Sequence, residues 1–237
     1  MMPLTEFRWK LLLIWYTARR AFEARPSENQ CNICGFRGFF EPFGWPVRPT
    51  ARCPQCRSLE RHRAIKAWLD LNPKAFEGRS VLHFAPEKAI RAIIEPHTGS
   101  YRSADIVEGL ADLTLNIEAL SLPDASFDSV ICSHVLEHVN DSLALAEIYR
   151  VVRPGGFALF MTPIVEGWDK TYENPAIQSI RDRILHFGQG NHVRFYGADF
   201  RARIRAAGFT LSEFTSEEPL VSRHSLWRGE KIFVAAR

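Results

Sequence analysis

Three short apolar runs set the frame of the chain. Arg79–Ala85 (RSVLHFA), Phe127–Ser133 and Phe157–Thr162 each have strand length, and Tyr101–Asp105 (YRSAD) reads as a fourth strand that ends in an acid. Between them the rhythm changes. Lys88–Ile94 predicts a short helix, and Asp141–Val152 carries Leu143, Ala146, Ile148, Tyr149 and Val152 at helical spacing. Arg153-Pro154-Gly155-Gly156 stops that helix with basic charge, proline and glycine. A strand, a crossover helix and a strand of these lengths make a βαβ unit, hence a parallel sheet with a right-handed crossover. The expected fold class is therefore α/β, a Rossmann-like sheet with helices on both faces. Ligands in such sheets sit at the carboxyl ends of the strands, which puts Cys132, Ser133, His134 and Val135 beside a ligand. Asp199–Ala207 predicts a later helix closing at Gly208. Phe209–Phe214 and Lys231–Ala235 predict a final antiparallel hairpin at the sheet edge, joined by a polar connector (EEPLVSRHSLWRGE) expected to be mobile.

The front of the chain has a different pattern. Leu4–Phe22 predicts one helix, with Phe7, Leu11, Ile14, Trp15, Ala18 and Phe22 on a single stripe and Arg8, Lys10, Arg19 and Arg20 beside it. Such a helix packs on the body of the protein, lies on a membrane surface or pairs with a partner chain. A polar linker follows, and then Cys31-Asn-Ile-Cys34, an 18-residue gap and Cys53-Pro-Gln-Cys56. Two CxxC pairs at this separation point to a four-thiolate zinc site, because each CxxC knuckle presents two sulfurs to one tetrahedral ion. Four protein thiolates leave no coordination position for water, so the expected zinc is structural. The intervening segment is rich in aromatics, glycine and proline, as a zinc ribbon is. Arg57–Leu71 predicts a helix leading out of it, with His62 read as a surface residue among Arg57, Arg61, Arg63 and Lys66. The expected organisation is an amphipathic helix over 1–27, a zinc ribbon with its linking helix over 28–77, and the α/β domain over 78–237.

Composition narrows the class. The chain has 237 residues, 46% of them hydrophobic and 24% charged, enough to bury a substantial core. Its net charge of +3 is uneven: residues 1–79 carry +7 and the remainder −4. A basic front half suits a polyanionic partner or is simply a solvated face. Five cysteines in such a chain do not make a disulfide framework. The run LLLIWY lacks a small-residue cleavage site, and no stretch is long enough to cross a bilayer as a helix. A cytoplasmic location is the expectation.

The stretch SFDSVICSHVLEHVND followed by RVVRPGG resembles the class I methyltransferases that use S-adenosylmethionine, at their fourth strand, fourth helix and Pro-Gly-Gly turn. More narrowly, the chain resembles a zinc-bearing subgroup whose first strand reads LHFAPE and which is related to type 11 methyltransferases. In the wider family this strand runs into a D/E-x-G-x-G loop. Here His83 stands at the acidic position, Ala85 and Pro86 cover the glycine positions, and Glu87 is a nearby carboxylate. The resemblance implies that His83, Ala85 and Glu87 border the cofactor and that Asp105 binds its ribose hydroxyls. It implies that Asn116 meets the adenine amino group, Ile117 packs on the adenine face, and Ser133 and His134 line the methionine side.

For an acceptor, His134 or His138 is a candidate base. The insertion Val165–Gly197 holds a cluster of His186, Gln189, His192, Arg194 and Tyr196 at the position where the family commonly builds its acceptor site. His134 and His192 are the residues expected near the acceptor. The implied reaction is S-adenosylmethionine-dependent methyl transfer to a small molecule or sugar-containing metabolite. An RNA acceptor docked by the basic ribbon is an alternative, and a non-catalytic interaction module on the same fold is another.

Overall fold

The computed structural model describes residues 29–44 and 46–237, together with Leu11, Ile14 and Trp15. The predicted helix over Leu4–Phe22 therefore lies almost wholly outside the described residues. The elements in chain order are β1 (Glu41–Phe43), β2 (Arg48–Arg52), α1 (Glu60–Leu71), β3 (Ser80–Phe84), α2 (Lys88–Ile94), β4 (Ser100–Asp105), β5 (Leu113–Thr114) and β6 (Phe127–Ser133). They continue with α3 (Asp141–Val151), β7 (Val152–Met161), β8 (Tyr172–Glu173), α4 (Ile180–Phe187), β9 (Arg194–Phe195), α5 (Phe200–Ala206), β10 (Thr210–Thr215), α6 (Leu220–His224) and β11 (Lys231–Ala236).

Seven strands form the central sheet in the order β10-β11-β7-β6-β3-β4-β5. The pairs β3–β4, β3–β6, β4–β5 and β6–β7 are parallel, and β11 runs antiparallel to both β7 and β10. The final hairpin thus exists, but β11 lies inside the sheet and β10 holds the edge. Strand order reverses between β3 and β6, since β4 lies on one side of β3 and β6 on the other. That reversal opens a crevice at the carboxyl ends of these two strands.

Alternating side chains divide the core into two layers. Leu82, Phe84, Val130, Cys132, Ala158 and Phe160 point to one face, where α3 contributes Ala144, Leu145, Ile148 and Val151 and α5 contributes Phe200 and Ile204. Val81, Ile131, Leu159 and Met161 point to the other, under Ile65, Trp68 and Leu69 of α1 and Ile90, Ile93 and Ile94 of α2. The buried stripe of α3 is rotated from the predicted one: Leu143 and Ala146 face solvent, and Asp141, Ala144 and Leu145 face inward. The cause is Asp141, whose buried carboxylate is held by Arg203 (3.0 Å) and by the hydroxyl of Tyr196 (3.1 Å), so a charged position lies on the inner face. At the turn into β7, Gly156 has no room for a side chain, because a Cβ there would lie 2.4 Å from the carbonyl oxygen of Asp128.

Helix α1, grouped by its sequence with the ribbon, packs on the sheet. What fastens the ribbon to the body is Arg63. It is fully buried, and its guanidinium donates to the carbonyls of Ala51 (3.0 Å), Ser58 (2.8 Å), His224 (2.8 Å) and Ser225 (2.7 Å). The polar connector before β11 forms α6 and docks on the ribbon: Gln30 N donates to Arg223 O (2.7 Å), and Ser225 Oγ donates to Thr50 O (2.9 Å).

Replacing Arg63 with Ala takes the donor from the carbonyls of Ala51, His224 and Ser225, while Ser58 O still accepts Cys53 N (2.9 Å). Arg63→Ala is expected to lower the unfolding free energy by about 3 kcal/mol or more in a denaturant titration; a loss no larger than that of an ordinary surface substitution would contradict this role.

Candidate functional site

Two backbone features mark the crevice. Ala85, just past β3, has φ +47°, and His134, just past β6, has φ +55°. Both are left-handed, a conformation that costs a non-glycine residue roughly 1–2 kcal/mol. The hydrogen bonds Ala85 N to Ala104 O (2.8 Å) and His134 N to Met161 O (2.8 Å) hold them there. The loop after β3 thus keeps a glycine-type backbone with alanine in place.

The expected cofactor residues occupy distinct positions around this loop. Asp105, partly exposed at the end of β4, accepts Val107 N at 2.9 Å through Oδ1. Asn116 is exposed and accepts Glu118 N at 3.0 Å, while Ile117 beneath it lies in the buried core. Ser133 is buried, and its hydroxyl has no partner. His83 is buried in β3 with Nδ1 2.6 Å from the Tyr101 hydroxyl, and Nε2 has no partner. Burial lowers its pKa to about 4, so the imidazole is neutral near pH 7. Glu87, at the entry to α2, does not cap that helix. Its carboxylate is paired with Arg61 and with His62 Nε2 (2.8 Å), both from α1. Burial pushes this carboxyl up, but the His62 and Arg61 hydrogen bonds outweigh it and hold it below the usual carboxylate range. His62 is accordingly buried and not on the surface; its Nδ1 also accepts Leu59 N at 3.0 Å.

The residues expected near an acceptor converge on a glutamate that the sequence does not single out. Glu137 is buried beyond the end of β6. His134 Nδ1 lies 3.3 Å from its Oε1, and Thr162 Oγ1 donates to its Oε2 at 3.1 Å. Burial pushes the Glu137 carboxyl up, yet the neighbouring His134 imidazole holds it below its ordinary value. His192, also buried, stacks edge-on with His138 at a ring separation of 4.7 Å. Burial lowers the pKa of His192. Three others of the insertion cluster make internal hydrogen bonds: Arg194 donates to the carbonyls of Leu136 (2.8 Å) and Val139 (2.5 Å), Tyr196 donates to Leu136 O (3.0 Å), and His186 pairs with the Tyr172 hydroxyl (2.7 Å). A second overlooked carboxyl is Glu230, which directly precedes β11 at the same end of the sheet. Burial raises its pKa to about 7, so it can take up or release a proton near neutrality.

The four ribbon cysteines lie together, with one donor atom from each within 4.8 Å of the others. Cys31 and Cys56 Sγ are 3.6 Å apart, as are Cys34 and Cys53. A tetrahedron with Zn–S bonds of about 2.3 Å has edges of about 3.8 Å, whereas a disulfide needs about 2.05 Å. The geometry fits a thiolate-bound metal. The two knuckles share one backbone plan: Gly35 N donates to Cys31 O (2.9 Å) and Arg57 N to Cys53 O (3.0 Å), and Gly35 and Arg57 are both left-handed. The basic cluster around them is internally paired: Arg57 with Glu41, Arg61 with Glu87, Lys66 with Asp70, and Arg63 with backbone carbonyls.

Residues 80–160 match the profile of the family described as a methyltransferase domain. The ubiquinone/menaquinone biosynthesis C-methyltransferase UbiE of Enterobacter sp. (strain 638) is 38% identical over 76 residues, 30% of this chain and 30% of that protein, and its Escherichia coli K12 counterpart is 37% identical over the same length. The chain thus spans about a third of the length of the curated relatives it matches. Among solved structures, an S-adenosylmethionine-dependent methyltransferase from Mesorhizobium loti is similar over 72% of this chain and 96% of that one, with a TM-score of 0.51 and 16% identity. A Burkholderia thailandensis 1,6-didemethyltoxoflavin-N1-methyltransferase, solved with that compound and S-adenosylhomocysteine, is similar over 73% and 76%, with a TM-score of 0.50 and 17% identity. The [4+2]-cyclase SpnF has a TM-score of 0.50 over 78% of this chain and 67% of that one, at 15% identity. The sheet shares its fold with these solved structures, and residues 80–160 are similar to the methyltransferase domain.

The buried neutral His83 has a measurable consequence. Its folded pKa is depressed from about 6.5 to about 4, so the unfolded chain takes up its proton first and stability falls as pH drops through that window. Glu230, whose folded pKa is raised, contributes the opposite slope between its unfolded pKa and about 7. Comparison of wild type with His83→Gln isolates the first effect: between pH 6.5 and 4 the wild type is expected to lose about 3 kcal/mol more than the variant. Parallel curves would show that His83 does not titrate this way.

Proposed function

We propose that this chain is an S-adenosylmethionine-dependent methyltransferase that acts on a small-molecule acceptor at the β3–β6 crevice. The observation that carries the reading is the position of the domain match: residues 80–160 hold the strand-order reversal and the two strained turns that border the crevice. Fold alone does not fix the chemistry, as the cyclase neighbour illustrates. When bound, S-adenosylmethionine supplies an electrophilic methyl group. Asp105 offers its second carboxylate oxygen to paired hydroxyls, the exposed amide of Asn116 reads a nucleobase edge, and Ser133 adds a buried hydroxyl. The left-handed Ala85 lets the backbone after β3 approach the ligand closely, the purpose glycine serves elsewhere.

On the acceptor side this reading assigns His134 to proton removal, oriented by Glu137, with Glu230 as a second carboxyl that exchanges protons near neutral pH. Positioning supplies most of the rate gain in such a displacement, and a base contributes further when the acceptor is a hydroxyl. Cys31, Cys34, Cys53 and Cys56 are assigned to a structural Zn2+, which stabilises a unit too small for a core of its own.

Isothermal titration of the folded protein with S-adenosylmethionine and S-adenosylhomocysteine tests the reading. Micromolar binding is expected, weakened at least tenfold by Asp105→Ala. Folded protein that binds neither compound would instead make the chain a non-catalytic module. For the thiolate site, the double variant Cys34→Ser/Cys56→Ser is expected to lose one zinc ion per chain and to unfold at lower temperature; unchanged zinc content would remove the assignment.

A further inference from the structure

Three donors from two separate segments meet beyond the end of β6. Glu137 and His138 come from the turn that follows the strand, and His192 comes from the insertion, with one donor atom of each within 4.8 Å of the others. A point within about 2.8 Å of all three must then exist, and metal bonds of about 2.0–2.2 Å ask each donor to move inward by less than ~1 Å. The partly exposed ring of His138 has the freedom to turn.

In two of the three side chains the opposite atom is already held. Glu137 Oε2 accepts the Thr162 hydroxyl at 3.1 Å, and His138 Nδ1 lies 3.1 Å from the carbonyl of Asn191. When His138 donates from Nδ1, its Nε2 is left as a lone pair. This is the outer-shell arrangement that orients metal-bound imidazoles and carboxylates. The remaining atoms, Glu137 Oε1 and His192 Nδ1, are buried and have no hydrogen-bond partner. His134 Nδ1 lies 3.3 Å from Glu137 Oε1 without a hydrogen bond to it, and His192 Nδ1 has no neighbour that reaches it. A cation between the donors satisfies both.

We propose that Glu137, His138 and His192 bind a divalent first-row transition-metal ion of zinc type. Two imidazoles and one carboxylate suit such an ion, and three protein ligands leave a coordination position for water or an acceptor oxygen. The exposed side of His138 and the neighbouring His134 place that position in the crevice. Action of the ion on an acceptor rests on the methyl-transfer reading; binding of the ion does not.

The test is zinc stoichiometry by equilibrium dialysis at micromolar free Zn2+, with S-adenosylhomocysteine titrated into the same samples. Wild type is expected to hold two zinc ions per chain. His138→Ala, chosen because that side chain is partly exposed, and His192→Ala are each expected to hold one, with circular dichroism unchanged. Cys34→Ser/Cys56→Ser is expected to keep the crevice ion. One zinc in wild type, or two in His138→Ala, overturns the proposal. Two zinc ions falling to one in His138→Ala, in protein that binds no S-adenosylhomocysteine, uphold the metal site and remove only the methyl-transfer reading.

Discussion

The guanidinium of Arg63 joins parts of the chain that are distant in sequence. It bonds to a strand of the cysteine ribbon, to the entry of its own helix and to the connector before the last strand. Its burial is tolerable only because carbonyl oxygens surround it, and the carbonyls of Ala51, His224 and Ser225 in turn lose this donor without it. The same helix turns Ile65, Trp68 and Leu69 toward the sheet. Ribbon, sheet and connector therefore share one fixed frame, and Arg61 and His62, beside Arg63 on that helix, reach the loop after β3 with their geometry already set. The crevice loop is positioned from the ribbon side as well as by the sheet.

A second constraint works from the opposite side. Arg194 and Tyr196 tie the insertion to the carbonyls of Leu136 and Val139, and Tyr196 and Arg203 converge on the buried Asp141. This clamp brings His192 against His138 and Glu137. Residues that look interchangeable as a polar loop cluster thus divide by depth. Those with guanidinium or phenol groups reach the backbone and hold the loop, while the imidazole of His192 stops short, beside a carboxylate.

The sheet was largely legible in the sequence because buried parallel strands are apolar on both faces, and helix stops such as Arg153-Pro154-Gly155-Gly156 are local signals. The stripe of α3 is not legible in the sequence because Asp141 is buried by partners more than fifty residues away, which no local periodicity reports. His62 and the basic cluster failed for the same reason: their partners, Glu87 and the carbonyls near residues 51 and 224, are remote. The polar connector looked mobile because its composition is polar, yet its backbone is the surface on which the ribbon rests. The cysteine cluster was legible from spacing alone, since thiolate ligands recur in fixed knuckles. Glu137 lies inside the HVLEH stretch, where a lone glutamate carries no signal of burial; what reveals it is the convergence of three histidines from two segments.

The pairing of Glu87 with Arg61 and His62 bears on how such a chain can diverge. A ribbon joined to a catalytic sheet by a linker can be exchanged for another through recombination, because neither part depends on the other's side chains. Here the helix that leaves the ribbon also neutralises a carboxylate in the loop after β3, and an exchange at residue 78 would separate the ion pair along with the modules. Lineages carrying this arrangement should change the two segments together, so that the front of the chain and the loop after β3 drift as a single unit of inheritance.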